Sequence, residues 1–314
     1  NSDFLSGRLF FSGGGGAVVN QGNLSGGFVY LVGSTVENNG SISAGRIALA
    51  AAQSSVLIDT AAGGEIRLEI DGLDELLGDG KGSAVGDSGS GAPDTGGETP
   101  EGAVDTTALL TENATDITSE WEPGTVANEG LLDAVGAVGG RITMNALRVS
   151  QSGIADASGT VGSGGTITIH AEEAIALMPD SVTAANAGLD GDGGTIEIIA
   201  EGTTYFTPGS RVEARGGSAS GDGGDIEISG HQGLTFGGTI DATAPAGELG
   251  TAYFDPPELY VIDDVDTSGD HDGSLPDLTG VAGTNLNTVS WGAIDALANS
   301  ANVILEGDTL LQVE

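Results

Sequence analysis

Apolar and polar residues alternate in short bursts along this chain, and one burst recurs seven times. The copies read GGFVYLV from Gly26, AGRIALA from Ala44, GGEIRLE from Gly63, GGRITMN from Gly139, GGTITIH from Gly164, GGTIEII from Gly193 and GGDIEIS from Gly223. Each is a pair of small residues followed by a strand pattern. The first inward position is always β-branched: Val29, Ile47, Ile66, Ile142, Ile167, Ile196 and Ile226. The next holds Leu31, Leu49, Leu68, Met144, Ile169, Ile198 and Ile228. Side chains on a strand alternate with a period of two, so both sets face the same side. Like residues at like positions predict stacked coils around an aliphatic column.

The copies start 18, 19, 76, 25, 29 and 30 residues apart. One strong strand per period of about 20–30 residues is the mark of a solenoid. No 3.6-residue apolar stripe runs through the repeats, which argues against helical repeats. Further strands are expected at 55–58, 174–177, 181–184, 211–214 and 239–242 as the other faces of each coil. The predicted fold is all-β: a right-handed parallel β-helix that lengthens by about 4.8 Å per coil. The long gap is either one coil with a large insertion or several degenerate coils.

The expected organisation has four parts. Residues 1–70 form the first coils, and residues 71–138 an insertion. Within the insertion, 78–105 is rich in Gly, Pro, Ser and acid, the composition of a flexible excursion; 107–117 and 125–138 return to moderate apolarity and can rejoin the rod. Residues 139–254 carry the longest coils. Residues 255–314 form a C-terminal extension: the prolines of Asp255-Pro256-Pro257 interrupt strand pairing. Ser290 is placed to cap a short helix with Trp291, Ile294, Leu297 and Ala298 on one face. Strands are expected at 303–305 and 309–313.

Composition agrees with a narrow coil. Gly accounts for 56 of 314 residues while aromatics make up 4 %, too few for the ring-filled core of a globular enzyme of this length. The net charge is −38, from 46 acidic and 8 basic residues. Nucleic acid and anionic membrane surfaces are poor partners for such a chain, because phosphate binding needs clustered Lys and Arg. The acidity reads as a self-repelling, solvated surface, or as a surface that collects divalent cations; Lys81 is the only lysine. Cysteine is absent, which suits export through a narrow pore, where a premature disulfide would block passage. No run of 18 apolar residues predicts membrane insertion. The chain opens on NSDFLSG and closes on LLQVE, and is read as a segment of a longer protein.

Residues 1–27 (NSDFLSGRLFFSGGGGAVVNQGNLSGG) and 34–59 (STVENNGSISAGRIALAAAQSSVLID) resemble the filamentous haemagglutinin-like exoproteins of two-partner secretion. Coils of that family carry V-x-N-x-G-x-I-x-A-G followed by R-[IV]-x-L-x-A. Here the phrase is Val36, Asn38, Gly40, Ile42, Ala44, Gly45, then Arg46, Ile47, Leu49 and Ala51. Echoes run through Val19, Asn20, Gly22, Leu24 and Gly26, and through 125–144. The stretch 254–313 is similar to the family's D-P-x-x-L-x-I segment. The resemblance implies the β-helical rod of a large secreted adhesin, without the N-terminal secretion domain and its N-P-N-G motif. It further implies an extracellular or outer-surface location on a Gram-negative bacterium, and roles in attachment, biofilm matrix or cell contact. The implied partners are host or matrix glycans, and an outer-membrane transporter that reads residues outside this chain. The expected role is mechanical and non-enzymatic. A self-associating structural filament, stacked end to end, and a β-helix polysaccharide lyase or hydrolase are the alternatives.

Five oxygen-bearing residues mark a possible cation loop: Asp264, Asp266, Ser268, Asp270 and Asp272. With Gly269 they match the opening positions of an EF-hand-type calcium loop, although Leu275 stands where the bidentate Glu belongs. Ca2+ is thus the one cofactor the sequence offers a site for, and none is required. Glu197 and Glu227 share an outward position in successive coils, roughly 5 Å apart if stacked. Paired carboxylates are what general acid–base chemistry needs, but Thr143 and Thr168 continue the same column as an ordinary solvent face. Arg211, Glu213 and Arg215 alternate on one strand, either as a cross-coil ion-pair ladder or as an anchor for acidic sugars. His170, His231 and His271 lie far apart and form no catalytic spacing. Phe28 and Tyr30 point outward, where they can stack on sugars or sit under a neighbour. No residue is assigned a catalytic role.

Overall fold

The computed structural model describes residues 8–12, 16–52, 55–59, 67–71, 123–262, 287–307 and 309–313. It is a parallel β-helix. Strands make up 57 % of it, one short helix is present among the described residues, and the main parallel sheet curls through 308° round an axis. The repeat strands stack in the expected register. Val29 lies on Ile47, Ile47 on Ile142, Ile142 on Ile167, Ile167 on Ile196 and Ile196 on Ile226. The second column runs Leu31, Leu49, Met144, Ile169, Ile198 and Ile228. From Ile47 to Ile228 these side chains are buried. Each such burial contributes about 1.5–3 kcal/mol relative to exposure.

Every coil has two further faces. One stacks Ala17–Asn20, Thr35–Asn38, Thr125–Asn128, 148–151, 174–177, Thr203–Phe206 and Gly233–Phe236. The other stacks 23–26, 41–43, Leu131–Asp133, Ile154–Asp156, Val182–Ala184, Arg211–Glu213 and Thr239–Asp241. The coils lengthen along the rod at the corner after this last face. In the first coils the strand runs straight on, as in Ser41–Ala51. Later, turns such as 185–194 and 214–224 intervene. The opposite corner repeats Pro179-Asp180-Ser181 and Pro208-Gly209-Ser210. Asp180 and Gly209 both take positive φ, 65° and 90°, as the residue after proline does in a type II turn.

The polar residues of the V-x-N-x-G phrase are interior parts. Asn20 Nδ2 donates to Asn38 Oδ1, Asn38 Nδ2 to Asn128 Oδ1, and Asn128 Nδ2 to Gln151 Oε1, each at 2.8 Å. Gln151 closes the ladder by donating to the carbonyls of Gly153 and Val182. A buried amide is tolerated when its donors and acceptors are met, and stacking achieves that. Above Gln151 the same position becomes Leu177, then Phe206, then Phe236. The glycine of the phrase is a matter of space: a β-carbon on Gly40 would lie 2.1 Å from the carbonyl oxygen of Gly22.

Three expectations need correction. The third copy does not join the rod: Arg67–Asp71 pairs antiparallel with Ser55–Asp59, which pairs antiparallel with Arg8–Ser12. The strand expected at 55–58 is therefore not a face of a coil, and the first coils do not continue to residue 70. Instead Arg46–Ala50 lies directly on Arg141–Asn145, and Thr125–Asn128 already belongs to the rod. Across the long gap the rod advances by one coil, with 125–128 and 131–133 stacked in it rather than in an insertion reaching 138, and residues 72–122 lie outside the described residues. The C-terminal part is also not wholly an extension. Asn302–Leu305 adds another rung to Thr251–Asp255, while Thr288–Ser290 and Leu310–Val313 flank Glu258–Ile262 in a small parallel sheet. The helix Trp291–Ala298, here α1, begins right after Ser290. Its rod-facing residues are Ala293, Ile294 and Leu297, whereas Trp291 is 43 % exposed. The strands on either side orient α1 so that Ala293 takes the inward place expected of Trp291.

Candidate functional site

The outward side of the repeat face carries the densest chemistry among the described residues. Strict parallel register sets Thr168, Glu197, Glu227 and Tyr253 in one row. The neighbouring row holds His170, Ile199, Ser229 and Asp255. Thr168 Oγ1 donates to Glu197 Oε2 at 3.5 Å, and Ser229 Oγ to Glu227 Oε1 at 3.3 Å. Partial burial pushes the Glu227 carboxyl above the usual range. The charges of Glu197 and Asp255 add to that, and the Ser229 hydrogen bond opposes it. Tyr253 donates from its hydroxyl to Glu306 at 2.7 Å, and this bond raises the phenol's pKa.

At the corner of the same face, Glu201 sits between two histidines. Its Oε2 is 3.0 Å from His231 Nδ1, and its Oε1 is 3.5 Å from His170 Nε2. The His231 hydrogen bond is the main reason that the Glu201 carboxyl lies below its ordinary pKa. Arg148 and Glu173 pair nearby at 2.7 Å. The sequence reading placed His170 and His231 apart and did not single out Glu201. The signal was the coil length: residues 201 and 231 are one 30-residue period apart, the last period measured between copies.

The strand expected to carry Arg211, Glu213 and Arg215 ends at Glu213, and the ion pairs gather on Arg215 just beyond it. Arg215 Nη2 is 2.9 Å from Glu213 Oε2, and its Nε is 3.8 Å from Asp241. Asn186 joins it, donating to Glu213 and accepting from the Arg215 backbone. Arg211 is exposed. Exposed pairs of this kind contribute little individually. The acidic turns are a ladder. Ser163, Asp192 and Asp222 each accept, through a side-chain oxygen, from the backbone N–H of the equivalent residue in the next coil: Asp192, Asp222 and Glu248. These aspartates of the Asp-Gly-Gly corners are tied to neighbouring coils.

On the first coil Phe28 is 60 % exposed. The Arg46 guanidinium lies 5.3 Å from its ring centroid, and the Tyr30 ring is 6.4 Å away. This is a small aromatic and cationic patch on an otherwise acidic rod. The proposed calcium loop, Asp264, Asp266, Ser268, Asp270 and Asp272, lies outside the described residues, as does His271. Among the described residues no three His, Cys, Asp or Glu side chains converge as metal ligands, and no helix is long and apolar enough to cross a membrane.

No protein-family model matches the chain, and no curated protein matches it.

Proposed function

We propose that this chain is the rod of a secreted or cell-surface adhesin, which presents repeated outward rows of side chains to neutral surface or matrix glycans. The observation that carries this reading is the unbroken register from Val29 to Leu305. Such a stack repeats an outward position about every 4.8 Å, a geometry suited to multivalent contact with a polymer. The interior column does structural work only, which leaves the outer faces for contact. Charge favours neutral over acidic glycans, since repulsion from the −38 surface opposes anionic polymers. The resemblance to filamentous haemagglutinin-like exoproteins supports the same role, with export from a Gram-negative cell through an outer-membrane transporter. Glycan-array binding by the purified chain, without turnover of the bound glycan, is the expected result. No retention on neutral glycans at physiological salt would remove this reading.

One observation favours a second reading, a polysaccharide-cleaving enzyme. Partial burial raises the Glu227 pKa, the direction a general acid needs, and Glu227 stands beside Glu197 in register. The test is release of reducing ends from neutral and acidic polysaccharides, abolished by Glu227→Gln. Absence of product with the wild-type chain would dismiss it.

A further inference from the structure

We propose that the space between α1 and the rod is a binding site for a small, uncharged apolar molecule, one aromatic ring in size with at most a short alkyl substituent. The cavity there measures about 210 Å³. Its rod wall is Phe206, Phe236 and Phe254, and its helix wall is Ala293, Ala296 and Leu297.

The cavity is held open by its frame. On one side of α1, Thr288–Ser290 pairs with Tyr260–Ile262. On the other, Asn302–Leu305 pairs with 251–254. Both strands are fixed by backbone hydrogen bonds, so the height of the helix above the rod is set by its anchors. Although Ala293, Ile294 and Leu297 pack towards the core, no residue of α1 is fully buried. Alanines at 293 and 296 leave unfilled the volume that larger side chains would take. The opposite wall is closely packed. Phe206 and Phe254 are buried, and the Phe236 and Phe254 rings pack at 5.0 Å between centroids. Gly238 gives the Phe206 ring its seat, since a β-carbon there would meet that ring at 2.0 Å.

The chemistry of the walls selects the ligand. No charged side chain lines the cavity. Its two hydroxyls are committed elsewhere: Thr239 Oγ1 donates to the Ser210 carbonyl at 3.3 Å, and Ser300 Oγ to the Leu297 carbonyl at 3.0 Å. An ion would enter unpaired, at a desolvation cost that nothing here offsets. The space is partly open to solvent, Ala296 being exposed, and its walls offer water few partners, so an apolar ligand displaces poorly held water. A cavity of about 150 Å³ in another protein accepts benzene. The larger volume here therefore accommodates a ring with a few extra carbons.

The test uses the full chain and four probes: benzene, toluene, indole and benzoate. Thermal unfolding followed by circular dichroism is expected to show a rise in Tm of several degrees with saturating toluene or indole, and none with benzoate, because ligand bound only to the folded state stabilises it by mass action. Ala293→Leu, which fills the cavity, is expected to abolish the toluene shift while keeping the β-sheet spectrum. Ala296→Leu, filling from the other side, provides the same reading if the first variant does not fold. No Tm shift with any neutral probe overturns the proposal, including the case in which residues of this chain already fill the space. So does a shift that persists in a folded cavity-filled variant, or an equal response to benzoate. Glycan binding by the rod is independent of all these outcomes.

Discussion

The buried amide ladder offers the sharpest test of how this rod holds together. Asn38 is its central rung and is fully buried. It accepts from Asn20 and donates to Asn128 at 2.8 Å, with a longer bond to the Leu131 carbonyl at 3.4 Å. Asn38→Ala removes all three. Asn20 Nδ2 keeps its 3.4 Å bond to the Ser41 carbonyl, but Asn128 Oδ1 loses the Asn38 donor. The bonds to Asn20 and to the Leu131 carbonyl cost about 1 kcal/mol each, and stripping the buried Asn128 Oδ1 of its donor about 1–3 kcal/mol, giving roughly 3–5 kcal/mol. Gln151→Leu is the control. It ends the ladder one rung early and installs the residue type found in the next coil at Leu177. It also removes three bonds, from Asn128 and to the Gly153 and Val182 carbonyls, but Asn128 Nδ2 retains the Ile154 carbonyl at 3.2 Å and the buried leucine offsets part of the loss, so the expected cost is about 1–2 kcal/mol. Urea unfolding of both variants, followed by circular dichroism, measures the difference. Replacing both Asn38 and Asn128 with Leu should cost less than the sum of the single changes, because neighbouring partners couple. The reasoning fails if Asn38→Ala costs under about 1 kcal/mol, or if Gln151→Leu is the more damaging change.

Other consequences follow from particular contacts. Ile169→Ala, in the middle of the interior column, should cost about 2–5 kcal/mol by urea unfolding, against much less for the outward Thr168→Ala. Gly224→Ala should prevent stable folding or lower Tm sharply, because its β-carbon would stand 2.0 Å from the Gly194 carbonyl oxygen; a neutral effect would contradict the observed coil spacing. Burial raises the Glu227 pKa, so the charged carboxylate opposes folding at neutral pH and that penalty disappears below the ordinary carboxylate range. Glu227→Gln should therefore raise Tm at pH 7, with the gain vanishing near pH 4. The Glu201 pKa is lowered, mainly by the His231 hydrogen bond, so its contribution is present above the ordinary carboxylate range and lost as pH falls through the lowered value. His231→Ala should remove that part of the acid sensitivity in Tm-versus-pH curves. Calcium titration calorimetry decides between a cation loop and a solvated acidic loop at 264–272: heat that disappears in an Asp266→Ala, Asp270→Ala double variant supports the former, and no heat with the unaltered chain removes it.

The interior was legible because each coil repeats the same demand. A parallel strand with identical neighbours above and below selects the same side chain again, and Ile167, Ile196 and Ile226 state that constraint openly. The third copy shows how far alternation alone reaches. GGEIRLE has the right period, yet Arg67–Asp71 pairs antiparallel outside the rod. Alternation specifies a half-buried strand and says nothing about its partner. The preceding face supplies the missing information. The first rod strands are each led by an amide phrase: Val18-x-Asn20-x-Gly22, Val36-x-Asn38-x-Gly40, Val126-x-Asn128-x-Gly130 and Val149-x-Gln151-x-Gly153. The third copy is led by Val56-x-Ile58, with no amide to extend the ladder.

Outward positions obey a different logic, and this is why the candidate site was less legible. Water accepts almost any polar residue there, so sequence similarity between coils fades while register stays strict. Glu197 and Glu227 could be paired because they sit at the same offset from identical GG strands. The Glu201 clamp could not, because its partners His170 and His231 lie on opposite sides of it along the rod and have no matching residues around them. The coil length is the translation rule. Once the interior column sets where each coil begins, adding one period to a surface residue names its neighbour, and Asp222 follows Asp192 in this way. The rule stops being exact where a turn grows or shrinks, as it does between Glu227 and Tyr253. It gives no account of α1, which is held between Thr288–Ser290 and Asn302–Leu305, strands outside the repeat pattern. A feature that occurs once has no second copy to betray it, and the cavity beneath that helix is visible only when the strands on both sides of it have been placed.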